Sequence, residues 1–199
     1  MKLGELKIEC LMHLFPNNKI PYANDDQSIT NILDNLRADP DLSDLTVTMI
    51  GSINRAISMF SIYGLTNKKR VEIRNDKWEW VCGAYKALIN IEDLFRLEWA
   101  DKPCEIIDGC LLAFGDEVPK YIIYRKKHFE ITQATPDTSV LELSDALCHL
   151  IPIYVKGELY SLDSDEKKNA EREFKQLLSA ARENEAVTEA KSEQIYRVI

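Results

Sequence analysis

The sequence predicts an α+β fold: a helical bundle of about five helices, interrupted by a small antiparallel β insertion and followed by an extended C-terminal tail. Three observations carry that prediction. Apolar residues recur at three- and four-residue steps over 1–68 and again over 136–184, the period of a helix with one buried face. Between these stretches, over 69–135, the period drops to two, as in strands. Beyond Asn184 the chain turns polar, with few apolar residues besides Ile195, Tyr196, Val198 and Ile199, so 185–199 is read as a tail unable to fold alone. Two helices after 136 cannot close a core by themselves, so the helical stretches are expected to complete one bundle around the insertion.

The first helix is set by Leu3, Leu6, Cys10, Leu11 and Leu14 and ends at Pro16 and Asn17-Asn18. Ile29, Ile32, Leu33 and Leu36 mark a second, with Asp26 or Ser28 as its N-cap and Asp39-Pro40 closing it. Leu45, Met49, Ile53, Ile57 and Phe60 share a face of a third and longer helix, and Gly64 stands where a C-cap glycine is expected.

Strands then follow. Val71 and Ile73 alternate with charged residues, Asn75-Asp76 makes a turn, and Trp78, Trp80 and Cys82 alternate again. Glu105–Ile107 and Cys110–Phe114 flank Asp108-Gly109, a pair that tolerates the positive φ of a two-residue hairpin turn. Tyr121–Tyr124 and Phe129–Ile131 supply further strands, and Asn90–Trp99 falls in the region with no strand of its own assigned. Next, Leu143, Leu147, Leu150, Tyr154 and Gly157 line one side of a helix starting near Ser144, in which the interior Pro152 is expected to cause a kink. Asp163-Ser164 caps a last amphipathic helix carrying Ala170, Phe174, Leu177, Leu178 and Ala181.

Composition narrows the function. With 199 residues, 45% hydrophobic and 29% charged, the chain can bury a core of its own. A formal net charge of -8 repels phosphate and argues against a backbone-gripping nucleic-acid binder; Lys68-Lys69-Arg70 and Arg125-Lys126-Lys127 read as solvated strand edges. Glu5, Lys7 and Glu9 interrupt what would otherwise pass for a signal peptide, and the longest apolar run, Leu147–Val155, is short of the roughly 20 residues a membrane span needs. The protein is thus expected to be soluble and made in the cytoplasm. The five cysteines are scattered, with no Cys-x-x-Cys pair, and indicate neither a disulfide framework nor a zinc site.

No catalytic constellation emerges. His13, His128 and His149 lack metal-ligand spacing, and Cys148 and His149, adjacent on a helix, point about 100° apart. Phosphate-binding glycine loops and the nucleophile-elbow motif are missing. Carboxylates such as Asp25-Asp26, Glu92-Asp93 and Asp163–Glu166 read as caps and solvated faces. The expectation is a non-enzyme with no cofactor and no metal. Gly51-Ser52, inside a helical pattern, points either to close helix packing or to close approach of a neighbouring subunit. Trp78 and Trp80 lie on the same side of their strand, as core or as a partner surface.

The run Lys2-Leu3-Gly4-Glu5-Leu6-Lys7, the run Gly51-Ser52-Ile53-Asn54-Arg55-Ala56, and Leu150-Ile151-Pro152-Ile153-Tyr154-Val155-Lys156-Gly157-Glu158-Leu159-Tyr160 resemble the head-tail connector (adaptor) proteins of tailed bacteriophages. The order of helices, β region, proline-bearing helix, final helix and tail is similar too. The resemblance implies a structural protein of the virion neck, made in the bacterial host: a ring, typically of twelve copies, that meets the portal protein on one side and a tail-side neck or tail-terminator protein on the other. DNA would pass through its lumen as cargo, with no membrane involved. On that reading Gly51, Ser52, Asn54 and Arg55 are expected at the subunit interface, with Asn54 and Arg55 off the apolar face and available to a neighbour. Ile195, Tyr196, Arg197, Val198 and Ile199 are expected to dock on the portal as apolar anchors. Two rival readings remain: a small cytoplasmic protein-binding module of phage or host that uses Trp78 and Trp80, and a carboxylate-dependent hydrolase.

Overall fold

The computed structural model describes residues 1–15, 19–23, 27–65, 68–81, 83–87, 94–107, 110–115, 117–127, 130–160 and 164–196, with the backbone alone over 185–196. The fold is mixed helix and sheet, and the chain divides into two compact units, Met1–Leu65 with Glu130–Ile199, and Thr66–Phe129.

In the first unit, α1 (Leu3–Leu14), α2 (Ile29–Ala38), α3 (Ser43–Ile62), α4 (Asp145–Cys148), α5 (Ile151–Leu159) and α6 (Asp165–Tyr196) surround one core. Leu3, Leu6, Cys10 and Leu11 of α1, Leu33 and Leu36 of α2, Met49, Ile53, Ile57 and Phe60 of α3, Ile151 and Val155 of α5, and Phe174 and Leu178 of α6 are buried there, each at the three- and four-residue spacing that keeps one stripe inward. Ser28 caps α2 by accepting from the Asn31 N–H, and Ser164 caps α6 by accepting from that of Lys167. Gly64, at φ 75°, ends α3 in the left-handed region that glycine enters without a Cβ penalty. Against the expectation that no stretch suffices, α3 is long and apolar enough, by length and composition, to cross a membrane; its apolar face is buried, as in the central helix of a bundle.

A polar clasp ties the chain's return from the β unit to the bundle. Lys7, 2% exposed, donates to Asp137 at 2.6 Å, and Arg37 reaches the other carboxylate oxygen at 2.9 Å. Burial pushes the Asp137 carboxyl up, but the hydrogen bonds and the positive charges of Lys7 and Arg37 together outweigh it and hold its pKa below the usual range. Gly4 makes the approach possible: a Cβ there would stand 3.1 Å from Asp137 Cβ and from Ile29 Cγ2, and its N–H donates to the Asp137 carbonyl.

The second unit holds two antiparallel sheets where one region was expected. One has the order β1 (Lys68–Glu72), β7 (Tyr121–Lys126), β4 (Leu94–Ala100). The other runs β2 (Trp78–Val81), β3 (Ala84–Ala87), β6 (Cys110–Ala113), β5 (Cys104–Ile107). Their inner faces meet around Ile73, Ala87, Leu111, Ile122 and Tyr124. β4 is paired to β7 with register shifts between Leu94 and Arg96 and between Leu97 and Trp99. Each such bulge consumes an extra residue, so Leu94, Leu97 and Ala100 face inward at three-residue spacing while Arg96 and Trp99 face outward.

Four expectations are corrected. Pro152 does not kink a helix interior: the expected single helix is two, and Pro152 occupies the first turn of α5, where its missing N–H leaves nothing unpaired. The segment 185–196 is not extended but continues α6 as helix through Tyr196, because its Glu, Ala, Lys and Gln residues are good helix formers despite their low apolar content. Ile131 is not in a strand, and β3 and β4 are strands the periodicity did not announce. The Asp108-Gly109 turn, Cys82, His128, Phe129 and Asp163 lie outside the described residues.

Candidate functional site

The segments that carry the resemblance, distant in sequence, converge in the helical unit. Lys2–Lys7 opens α1, Gly51–Ala56 is mid-α3 and Leu150–Tyr160 is α5 with its flanks, and both α1 and α3 pack on α5. Between the second and third, the Arg55 Nη2 stands 2.8 Å from Glu158 Oε2 and its Nε donates to the same oxygen at 3.0 Å. Arg55 also donates to the Ser52 hydroxyl at 3.0 Å. Tyr154 stands beside this pair, and partial burial with the Glu158 charge pushes its phenol pKa up.

The expected interface residues therefore divide. Ser52 is wholly buried, and Asn54, half-buried, is hydrogen-bonded within the chain. The Asn54 amide donates to the Ile131 carbonyl at 2.7 Å and accepts from the Ile131 N–H at 2.9 Å, pairing with that backbone as a strand would. The sequence placed Asn54 off the apolar face correctly, but the chain returning from the β unit passes that point. Arg55, by contrast, is half-exposed, although paired with Glu158.

Gly51 is the unusual member. It is half-buried in the middle of a 20-residue helix, where glycine is about 1 kcal/mol worse than alanine. A Cβ built on it would meet, among the described residues, the Arg55 guanidinium at 3.7 Å, an ordinary contact. The close-helix-packing explanation fails here, whereas Gly4 and Gly157 do sit against neighbouring elements. At about 100° per residue, Asp44, Val47, Gly51, Arg55, Ser58 and Ile62 fall within roughly a quarter-turn of α3. Val47 is 47% and Ile62 72% exposed, so the stripe is a mixed, glycine-notched helix face, with Asp44, Arg55 and Ser58 among the apolar residues, turned to solvent.

Trp78 and Trp80 share a face of β2, as their spacing predicts, but separate in role. Trp78 packs against the β core, while Trp80 lies 59% exposed at its margin, edge-on to Tyr85 at 4.8 Å between ring centroids. Ile195 and Tyr196 lie on the last turn of α6, and Arg197, Val198 and Ile199 are outside the described residues.

The other titratable groups with catalytic potential are occupied structurally. His149 meets Glu9 at 2.8 Å, and Cys148 is buried with its thiol pKa pushed up by desolvation. Burial raises Cys104 to about 11, far from a reactive thiolate. A shallow depression in the β unit is lined by Asp101, Lys102, Glu117 and Lys120, but Lys102 pairs with Glu117 and Asp101 accepts from the backbone N–H groups of Lys120 and Tyr121. Among the described residues no three His, Cys, Asp or Glu side chains gather as metal ligands.

Sequence reading missed the outer face of the three-stranded sheet. The register puts Lys68, Arg125 and Arg96 in one cross-strand row and Arg70, Ile123 and Trp99 in the next. Arg70 lies over the Tyr121 ring at 4.9 Å, and Glu98 takes both Arg125 at 3.1 Å and Arg96 at 3.5 Å. Trp99 is 51% exposed. The two bulges of β4 hid this face, since they break the alternation by which a strand is read. Neither a protein-family model nor a curated protein matches the sequence.

Proposed function

We propose that this chain is a non-catalytic structural subunit that assembles with copies of itself into a ring, the head-tail connector at the neck of a tailed bacteriophage, between the portal and the tail. The observation that carries this reading is Gly51, a half-buried mid-helix glycine beside exposed Val47 and Arg55 that no contact among the described residues requires. Close approach of a second polypeptide accounts for it. Support also comes from the packing of the connector-like segments on α5, two of which meet in the Arg55–Glu158 pair. In a ring each copy presents two different surfaces, and the acidic balance of the chain suits a lumen through which DNA slides as cargo without adhering. The helical end of α6, including Ile195 and Tyr196, and the terminal Arg197, Val198 and Ile199 are the proposed portal-docking segment, with a tail-side protein on the opposite face and no cofactor.

The test is the mass of the full-length protein, alone and mixed with its cognate portal, by native mass spectrometry. A defined ring, or about one copy per portal subunit, is expected. Gly51→Phe should abolish assembly while the monomer stays folded, whereas Gly51→Ala should stabilise the monomer by roughly 1 kcal/mol. A stable monomer indifferent to the portal would instead favour a small cytoplasmic protein-binding module, a reading that draws on the exposed Trp80 and its Tyr85 partner.

A further inference from the structure

Charge is distributed unevenly between the two units. Of 25 Lys and Arg and 33 Asp and Glu, Thr66–Phe129 holds 12 and 11, a net +1, leaving 13 and 22, a net -9, for the remainder. Within the β unit the cations concentrate further. The strands of the three-stranded sheet carry six Lys and Arg against Glu72 and Glu98. Its outer face has an apolar centre, Ile123 and Trp99, bordered by Arg70, Arg96 and Tyr121. Trp, Tyr and Arg are the residues that dominate protein interfaces, set around a core and rimmed by charge.

We infer that this outer face docks on the exposed α3 stripe of a second copy, with Arg70 and Arg96 facing Asp41 and Asp44 and with Trp99 against Val47 and Gly51. This deepens the ring reading and rests on it: the sheet face and the helix stripe are the two unlike surfaces a head-to-tail ring requires. Asp41 and Asp44 are both exposed at the start of α3, the helix end where acidic side chains are already favoured by the dipole. Two features favour protein over nucleic acid as the occupant. Glu98, placed between Arg96 and Arg125 on the same face, would repel phosphate, and the chain as a whole is acidic, which disfavours a nucleic-acid backbone.

The experiment is a charge swap in the full-length protein, read as mass by sedimentation in low salt, where charge pairing is least screened. Arg70→Glu with Arg96→Glu should lose self-association at least tenfold, and so should Asp41→Lys with Asp44→Lys. Mixed in equal amounts, the two variants should regain it, since every contact in an alternating assembly is then complementary. Circular dichroism of each variant establishes that it folds. Variants that assemble as well as wild type would overturn this docking while leaving the ring intact, and two defective variants whose mixture stays defective would overturn it as well. A wild type that remains monomeric both alone and with the portal would overturn the ring itself. Wild-type binding of a fluorescent single-stranded oligonucleotide that the Arg variant loses would reassign the face to nucleic acid.

Discussion

The helical unit and the β unit divide their apolar residues between core and surface in different proportions. The helices gather most of theirs around one continuous core, from Leu3 to Leu178, and leave a minority such as Val47 and Ile62 exposed. The β unit closes a much smaller core between its sheets and leaves Trp80, Val81, Phe95, Trp99, Ile107 and Phe114 substantially exposed. Apolar exposure on that scale in a small unit marks contact surface rather than stability. The difference teaches that stability is concentrated in the helices, while contact surface is offered by the sheets and by the α3 stripe.

All three tryptophans, Trp78, Trp80 and Trp99, lie in Thr66–Phe129. Tryptophan emission therefore follows the β unit and helical circular dichroism the other, which lets each variant be read in both. Phe60→Ala should have the largest effect. It empties the site between α3 and Phe174, whose ring centroid is 6.2 Å from that of Phe60, and should lower the stability of the helical unit by about 3–5 kcal/mol. If the emission transition moves by as much as the dichroism, the two units are one cooperative body and the comparison breaks.

Asp137→Asn should follow, at about 3 kcal/mol, because Lys7 is left buried without its counter-charge. The same carboxylate gives a pH test. Its folded pKa lies below the unfolded value of about 3.9, so the clasp contributes fully above that value and is lost as pH falls through the folded pKa. Acid titration of the helical transition should accordingly be shallower in the variant than in wild type.

Asn54→Ala should cost roughly 2 kcal/mol, again in the helical transition, by leaving the Ile131 N–H and carbonyl without their partners. An unchanged midpoint would return Asn54 to the list of residues available to a neighbouring subunit. Trp78→Phe sharpens the other side of the comparison and should be the mildest change, below about 1 kcal/mol and confined to the β unit. The Trp78 Nε1 is buried with no hydrogen-bond partner among the described residues, so removing it relieves a desolvation penalty that offsets the lost ring volume.

What the sequence determined by itself was the local, periodic part. Helical spacing in Leu3–Leu14, Ile29–Ala38 and Ser43–Ile62, the caps at Ser28 and Ser164, and the glycine that ends α3 were legible because each rests on residues within a turn or two of one another. The alternation of Trp78 and Trp80 was legible for the same reason. Tertiary structure alone decided that Asn54 clasps Ile131, that Lys7 and Arg37 share Asp137, and that Arg55 meets Glu158, since those partners lie 77 to 130 residues apart or belong to elements joined only by folding. It also decided the outer face of the three-stranded sheet. There, two bulges replace alternation with a three-residue step, and only pairing with a neighbouring strand reveals which side chains of Leu94–Ala100 turn outward.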